Sequence, residues 1–261
     1  VKALAPEYYE AFLGEMRLRH PDDYADVVAQ YDGEISYVDS QVGRLVAHLE
    51  AAGRLDDTAV VLMSDHGECF GEGGIHFDHH GLHDATIRVA LMVCAPGIAP
   101  GRCAAMVSTE DILPTLAAWF GWETPPGTTG HSLAPVLAGG AAPEREYLVA
   151  VESTRQASLA LRTERWKLIL PIVRDARGNR LPDLHGHDRD PKPQLYDRDA
   201  DPGEWHDVAE AHPEVRDRLL ATLAAWRERE VAARGGHDPV LESGLSLGSD
   251  EFMPRLRKRK A

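Results

Sequence analysis

Cysteine, positive charge and long apolar runs are all scarce in this chain, and each scarcity removes a class of function. Only Cys69, Cys94 and Cys103 occur among 261 residues. Three thiols cannot all pair, and none lie at the CxxC spacing of a zinc site. They read as ordinary thiols of a reducing compartment, which leans slightly toward the cytoplasm; a Cys94–Cys103 disulfide stays open for a secreted protein. Lys and Arg number 28 against 42 Asp and Glu, a formal charge of −14. Nucleic-acid binding wants a basic face, so that partner is not expected. The basic run Arg255 to Lys260 reads as a solvated end. No apolar segment approaches the length of a bilayer span, and no signal-peptide pattern follows Val1, so no membrane partner is expected either. No internal repeat is present.

What is there begins with 43% hydrophobic residues, enough to bury a core in one large or two modest domains. The first 30 residues are polar with scattered aromatics and suggest helical pieces. From Tyr31 onward, Ile35, Val38, Val42, Leu45, Val46 and Leu49 fall at helical spacing and predict one apolar stripe packed on a sheet. Gly53 ends that helix and Asp56-Asp57 turn the chain into an apolar run, residues 58–64. A run of this kind predicts a buried parallel strand, delivering Asp65-His66-Gly67 to the carboxyl edge of an α/β sheet where such folds keep their ligands.

Asp65 and His66 are the candidate metal ligands. Carboxylate oxygen and neutral imidazole nitrogen both suit a divalent cation, and Gly67 allows a sharp turn. The blander reading makes Asp65 a helix cap and His66 a surface residue. Ten residues on, His76 to Asp84 hold four imidazoles and two carboxylates within nine positions. Histidine shuttles protons near neutrality and contacts anionic esters without permanent charge. Residues 68–84 carry no periodicity and are expected as a loop over the sheet edge. Arg88 to Val93 reads as a second buried strand, and residues 110–120 as a helix ended by Gly121. Cys94-Ala95-Pro96 looks like a nucleophile motif but has no adjacent base, so Cys94 is expected in the core. Beyond a Pro/Gly/Thr-rich stretch, short β-rich segments at 147–152, 158–163 and 166–170 predict an antiparallel meander. Residues 213–230 place Val215, Leu219, Leu223 and Trp226 on one helical face.

In this order the segments resemble the sulfatase family of the alkaline-phosphatase-like superfamily. Tyr31 to Asp39 with Val42-Gly43-Arg44-Leu45 is similar to the family's helix before its metal strand. Val60 to Glu68 resembles the metal-ligand strand. His79-His80-Gly81-Leu82-His83-Asp84, then Arg88-Val89-Ala90-Leu91, is similar to the segment with an active-site Lys or His, a Tyr-Glu/Asp pair and Arg-Val-Pro-Leu. His83 and Ala90 depart from the family's Tyr and Pro. Ser108 to Gly121, Arg165 to Ile169, Leu195-Tyr196-Asp197 and Asp201 to Glu204 resemble the remaining signatures.

The resemblance implies an α/β, alkaline-phosphatase-like mixed sheet flanked by helices, with a smaller C-terminal antiparallel subdomain. It divides the chain into the C-terminal part of the catalytic domain (1–122), a linker (123–145), a sheet-plus-helix subdomain (146–232) and a weakly ordered tail (233–261). It implies a sulfuric ester hydrolase acting on a small-molecule or carbohydrate sulfate, with Asp65 and His66 in the shell of a divalent ion, Ca2+ above all. His79 or His80 would take the catalytic Lys/His position, and a one-residue gap leaves the two open. The family's Cys/Ser-x-Pro-x-Arg nucleophile, whose Cys becomes formylglycine, is absent here, so it is expected upstream, and this chain alone is expected to be inactive. A phosphonate monoester or phosphodiester hydrolase with Mn2+ or Zn2+ is the alternative, because Asp-His at the strand end suits both and Asp-Asn would favour a sulfatase. An inactive metal-binding fragment is the third reading.

Overall fold

The computed structural model describes residues 23–154, 156–183 and 188–242. The expected N-terminal helical pieces, most of the expected tail and the basic run at 255–260 fall outside those residues. In chain order the elements are α1 (Asp23–Ala51), β1 (Val60–Met63), β2 (Cys69–Phe70), β3 (His76–Asp78), α2 (Asp84–Ile87), β4 (Leu91–Cys94), α3 (Ile112–Phe120), α4 (Ala134–Leu137), β5 (Leu148–Glu152), β6 (Ser158–Arg162), β7 (Trp166–Pro171), β8 (Gln194–Asp197), α5 (Pro213–Ala233) and α6 (Pro239–Glu242). Helices and antiparallel sheets make the chain α/β. Among the described residues no helix is long and apolar enough to cross a membrane.

The chain divides into two compact units, Val1–Asp65 with Val89–Ile98 and His66–Arg88 with Ala99–Ala261. In the first, β1 pairs antiparallel with β4, Val60 opposite Cys94 and Met63 opposite Leu91. The ladder continues where the Ser64 amide donates to the Ala90 carbonyl at 3.2 Å and the Ala90 amide to Ser64 Oγ at 3.0 Å. This corrects the expected buried parallel strand. An apolar run shows that both faces can be covered but carries no strand direction, which depends on the connection's path. Nor is the pair fully buried, since Met63 and Met92 are exposed. The stripe on α1 is likewise only partly covered. Val42, Val46 and Leu49 are half-buried, while Ile35, Val38 and Leu45 lie open. Cys94 is exposed rather than core, and Cys94 and Cys103 are free thiols, so the disulfide is not formed.

The second unit is built on the expected meander, a four-stranded sheet of order β5-β6-β7-β8 with β8 added from the Leu195-Tyr196-Asp197 signature. Strand alternation sorts its side chains cleanly. Leu159, Leu161, Leu168 and Leu195 point to one face, where Val215, Leu219 and Leu223 of α5 close the core. Ala160, Ile169 and Tyr196 point to the other and pack against Leu82 and Ile87. The sheet is therefore covered on one side by a helix and on the other by the histidine segment. Buried apolar area of this kind contributes roughly 25 cal/mol per Å², which makes this unit the rigid platform for residues 79–87.

Candidate functional site

Residues 68–84 were expected as a loop over the sheet edge but contain a short hairpin, β2 pairing antiparallel with β3, Cys69 opposite Asp78 and Phe70 opposite His76. Strands of two and three residues are too short to show a period in the sequence. The hairpin decides the site. Glu68 precedes β2 and His79 follows β3, so closing the pair returns His79 to the start of the segment. There the His79 ring stacks on His66, with centroids 4.0 Å apart and planes 19° from parallel. His79 Nδ1 lies 3.8 Å from Glu68 Oε2. One donor atom each of His66, Glu68 and His79 falls within 4.8 Å of the others. Two imidazole nitrogens and a carboxylate oxygen at that separation fit a divalent cation, with N/O chemistry of the zinc–manganese type.

His66 Nδ1 lies 2.8 Å from the Gly67 carbonyl, and the Gly67 amide donates to the Thr86 carbonyl at 2.7 Å. Glycine is required at 67 because a Cβ there would collide with the Ala85 carbonyl. The requirement comes from close backbone approach, not from a left-handed turn. Asp65 is exposed and immediately precedes His66 in the chain, at the end of the first unit's strand segment. The His66, Glu68 and His79 group does not include it.

The histidines of the segment differ in environment. His79 is about half exposed at its side chain, 52%. His80 is turned toward Asp78, its Nδ1 3.3 Å from Oδ2. His83 is buried, its Nε2 3.3 Å from the Tyr196 hydroxyl, with Gly73 making room for the ring. Burial, aided by the nearby Lys167 ammonium, pushes His83 down to about 4, so it is neutral at physiological pH. Cys69 is fully buried, its Sγ 3.0 Å from Thr86 Oγ1, and burial pushes its thiol up to about 11. It is not a nucleophile.

Below the histidines lies a charged cluster that the sequence reading did not identify. Lys167 on β7 is 0% exposed, and its Nζ donates to Asp84 Oδ1 at 2.9 Å and Glu204 Oε2 at 3.1 Å. Arg198 Nη2 lies 2.8 Å from Asp84 Oδ2. Burial pushes the Asp84 carboxyl upward, but Lys167, Arg198 and Arg162 outweigh it and hold it below the usual carboxylate value. Burial wins at Glu204, which is raised, and at Lys167, which is lowered. A single Lys in the apolar strand Trp166-Lys167-Leu168-Ile169-Leu170 was the available signal. Glu68 was similarly visible only as the residue after Gly67.

Residues 5–122 match the family model described as "Sulfatase". A choline-sulfatase of Rhizobium meliloti (strain 1021) is 35% identical over 209 residues, 77% of this chain and 36% of the relative. The phosphonate monoester hydrolase of Agrobacterium radiobacter superposes with a TM-score of 0.66 at 26% identity, covering 85% of this chain and 45% of that one. A putative sulfatase from Bacteroides thetaiotaomicron VPI-5482 gives a TM-score of 0.68 at 23% identity, over 84% and 47%, a likeness of fold. The chain thus spans less than half the length of each.

Proposed function

We propose that this chain, whose residues 5–122 match the sulfatase family model and which is 35% identical to a choline-sulfatase over 209 residues, is part of a metal-dependent hydrolase of sulfate esters. The family implies a divalent cation. Asp65 and His66 supply part of its shell, and Ca2+ is the ion of this reading. In this reading His66 and Glu68 face the ion and His79 is kept for the ester, so further oxygen ligands are expected from Asp65 and from outside these residues. A bound cation supplies electrostatic stabilisation of charge developing on the ester oxygens. The nucleophile, a formylglycine by family resemblance, is expected upstream of Val1.

Of the two candidate histidines, His79 is the one for the catalytic position. The observation that carries the reading is its stacking on His66 beside Glu68. From there His79 can contact the ester oxygens or hand a proton to the leaving alcohol, whereas His80 faces Asp78. The substrate is a small-molecule or carbohydrate sulfate ester, and the similarity to a choline-sulfatase favours the small-molecule end.

Likeness to a phosphonate monoester hydrolase at 26% identity, together with Asp-His where Asp-Asn would favour a sulfatase, supports a second reading as a phosphonate or phosphate diester hydrolase using Mn2+ or Zn2+. Kinetics of the full-length protein on an aryl sulfate and an aryl phosphonate separate the two. The higher kcat/KM is expected on the sulfate; a higher value on the phosphonate sinks the first reading. Metal binding without turnover of either would mark an inactive metal-binding protein.

A further inference from the structure

Three signature stretches that lie far apart in the chain, Leu82-His83-Asp84, Arg165 to Ile169 and Asp201 to Glu204, meet at one buried point. Lys167 stands there between Asp84 and Glu204, at 2.9 and 3.1 Å. Glu204 Oε2 also accepts the Asp84 backbone amide at 2.8 Å, so one carboxylate fixes both the side-chain and the main-chain end of the histidine segment. Glu204 adopts φ +56, in the left-handed region that favours glycine. Such conformations persist where the surroundings over-determine them, and here the carboxylate is held by two donors at once. Three residues earlier, the Gly81 amide donates to Glu152 Oε2 at 2.7 Å, a second pin from β5. His79 and His80 are joined directly to this doubly pinned stretch.

A buried ion cluster is a poor device for stability alone, because well-packed apolar side chains often do as well. Its distinctive property is direction. Each hydrogen bond accepts one register of the segment over the sheet and penalises its neighbours. We propose that Lys167, with Asp84 and Glu204, is a positioning residue that fixes the histidine segment on the C-terminal sheet for ester cleavage. This rests on the reading that His79 or His80 acts on the ester. Lys167 is wholly buried and reaches no substrate, so its effect passes through the segment.

The test uses the full-length protein with Lys167→Met and, in case that variant does not fold, the triple variant Lys167→Met/Asp84→Asn/Glu204→Gln, in which all three side chains are uncharged. Hydrogen exchange is followed over residues 76–87 and over β5–β8, alongside kcat and KM on an aryl sulfate. Faster exchange confined to 76–87, with KM little changed and kcat lowered about 10²-fold, as expected for a displacement near 1 Å, supports the proposal. Unchanged exchange over 76–87 overturns it, as does faster exchange with parental kcat. Loosening of β5–β8 to the same degree also overturns it, because the cluster would then serve the sheet. His79→Ala and His80→Ala are measured in parallel. Parental kcat in both overturns the underlying reading of the segment, and exchange in Lys167→Met still decides the anchoring by itself.

Discussion

The two charged groups on either side of residues 80–83 use similar side chains in opposite surroundings. His66, Glu68 and His79 are open or half-open to solvent, whereas Asp84, Lys167 and Glu204 are buried. A group that exchanges a ligand must be reachable and must hold spare donor capacity. A group that holds a register must be dry, because low dielectric strengthens each paired hydrogen bond and makes each unpaired one costly. The short segment between them lets the buried group set the geometry of the exposed one.

Changing the buried group should cost the fold most. Lys167→Met takes from buried Glu204 its nearest cation and leaves Asp84 to Arg198 and Arg162, and urea unfolding should show a loss of about 3–5 kcal/mol. The triple variant, which leaves Arg198 and Arg162 without the Asp84 carboxylate, should recover only part of it, and if both variants match the parent the cluster is not the anchor described. In the exposed group, His79→Ala should lower kcat on a sulfate ester by about 10²–10⁴-fold, the range of a lost acid–base partner. His80→Ala should lose much less, and equal losses would erase the distinction drawn between the two rings.

Titration gives a third contrast. His83 has a folded value of about 4 against an ordinary value near 6.5. Between those values the unfolded chain binds the extra proton and the folded chain does not. Its stabilising contribution is therefore complete above about pH 6.5 and falls as pH drops toward 4, by on the order of 3 kcal/mol. His83→Phe should flatten the stability profile across that window, and an unchanged slope would show that His83 is not the titrating group. The smallest effect is expected at Gly67. A methyl facing the Ala85 carbonyl should cost about 1–3 kcal/mol in thermal unfolding, and no loss would mean that the close approach is not needed.

The sequence disclosed those features that short-range pattern encodes. The helical face of α5 and the three strands of the meander were legible, and so was the sulfatase likeness of the segments in order. The direction of β1 was not, because an apolar run looks the same in either ladder. Partial burial of α1 was not either, since periodicity reports which face is apolar and not what covers it. The β2–β3 hairpin left no period to find, and without it nothing placed His79 rather than His80 beside His66. Lys167, Asp84 and Glu204 could be read only as separate family signatures, because the contacts joining them span 37 and 83 positions.

The central claim is that Asp65 and His66 hold an ion needed for cleavage of a sulfate ester. Its most direct test is turnover of an aryl sulfate by the full-length protein, stripped with chelator and then titrated with Ca2+. The account predicts that stripping abolishes turnover, that Ca2+ restores it, and that Asp65→Ala and His66→Ala each require far more Ca2+ or fail to recover. Full turnover by the stripped protein, or parental titration curves in both variants, would contradict it.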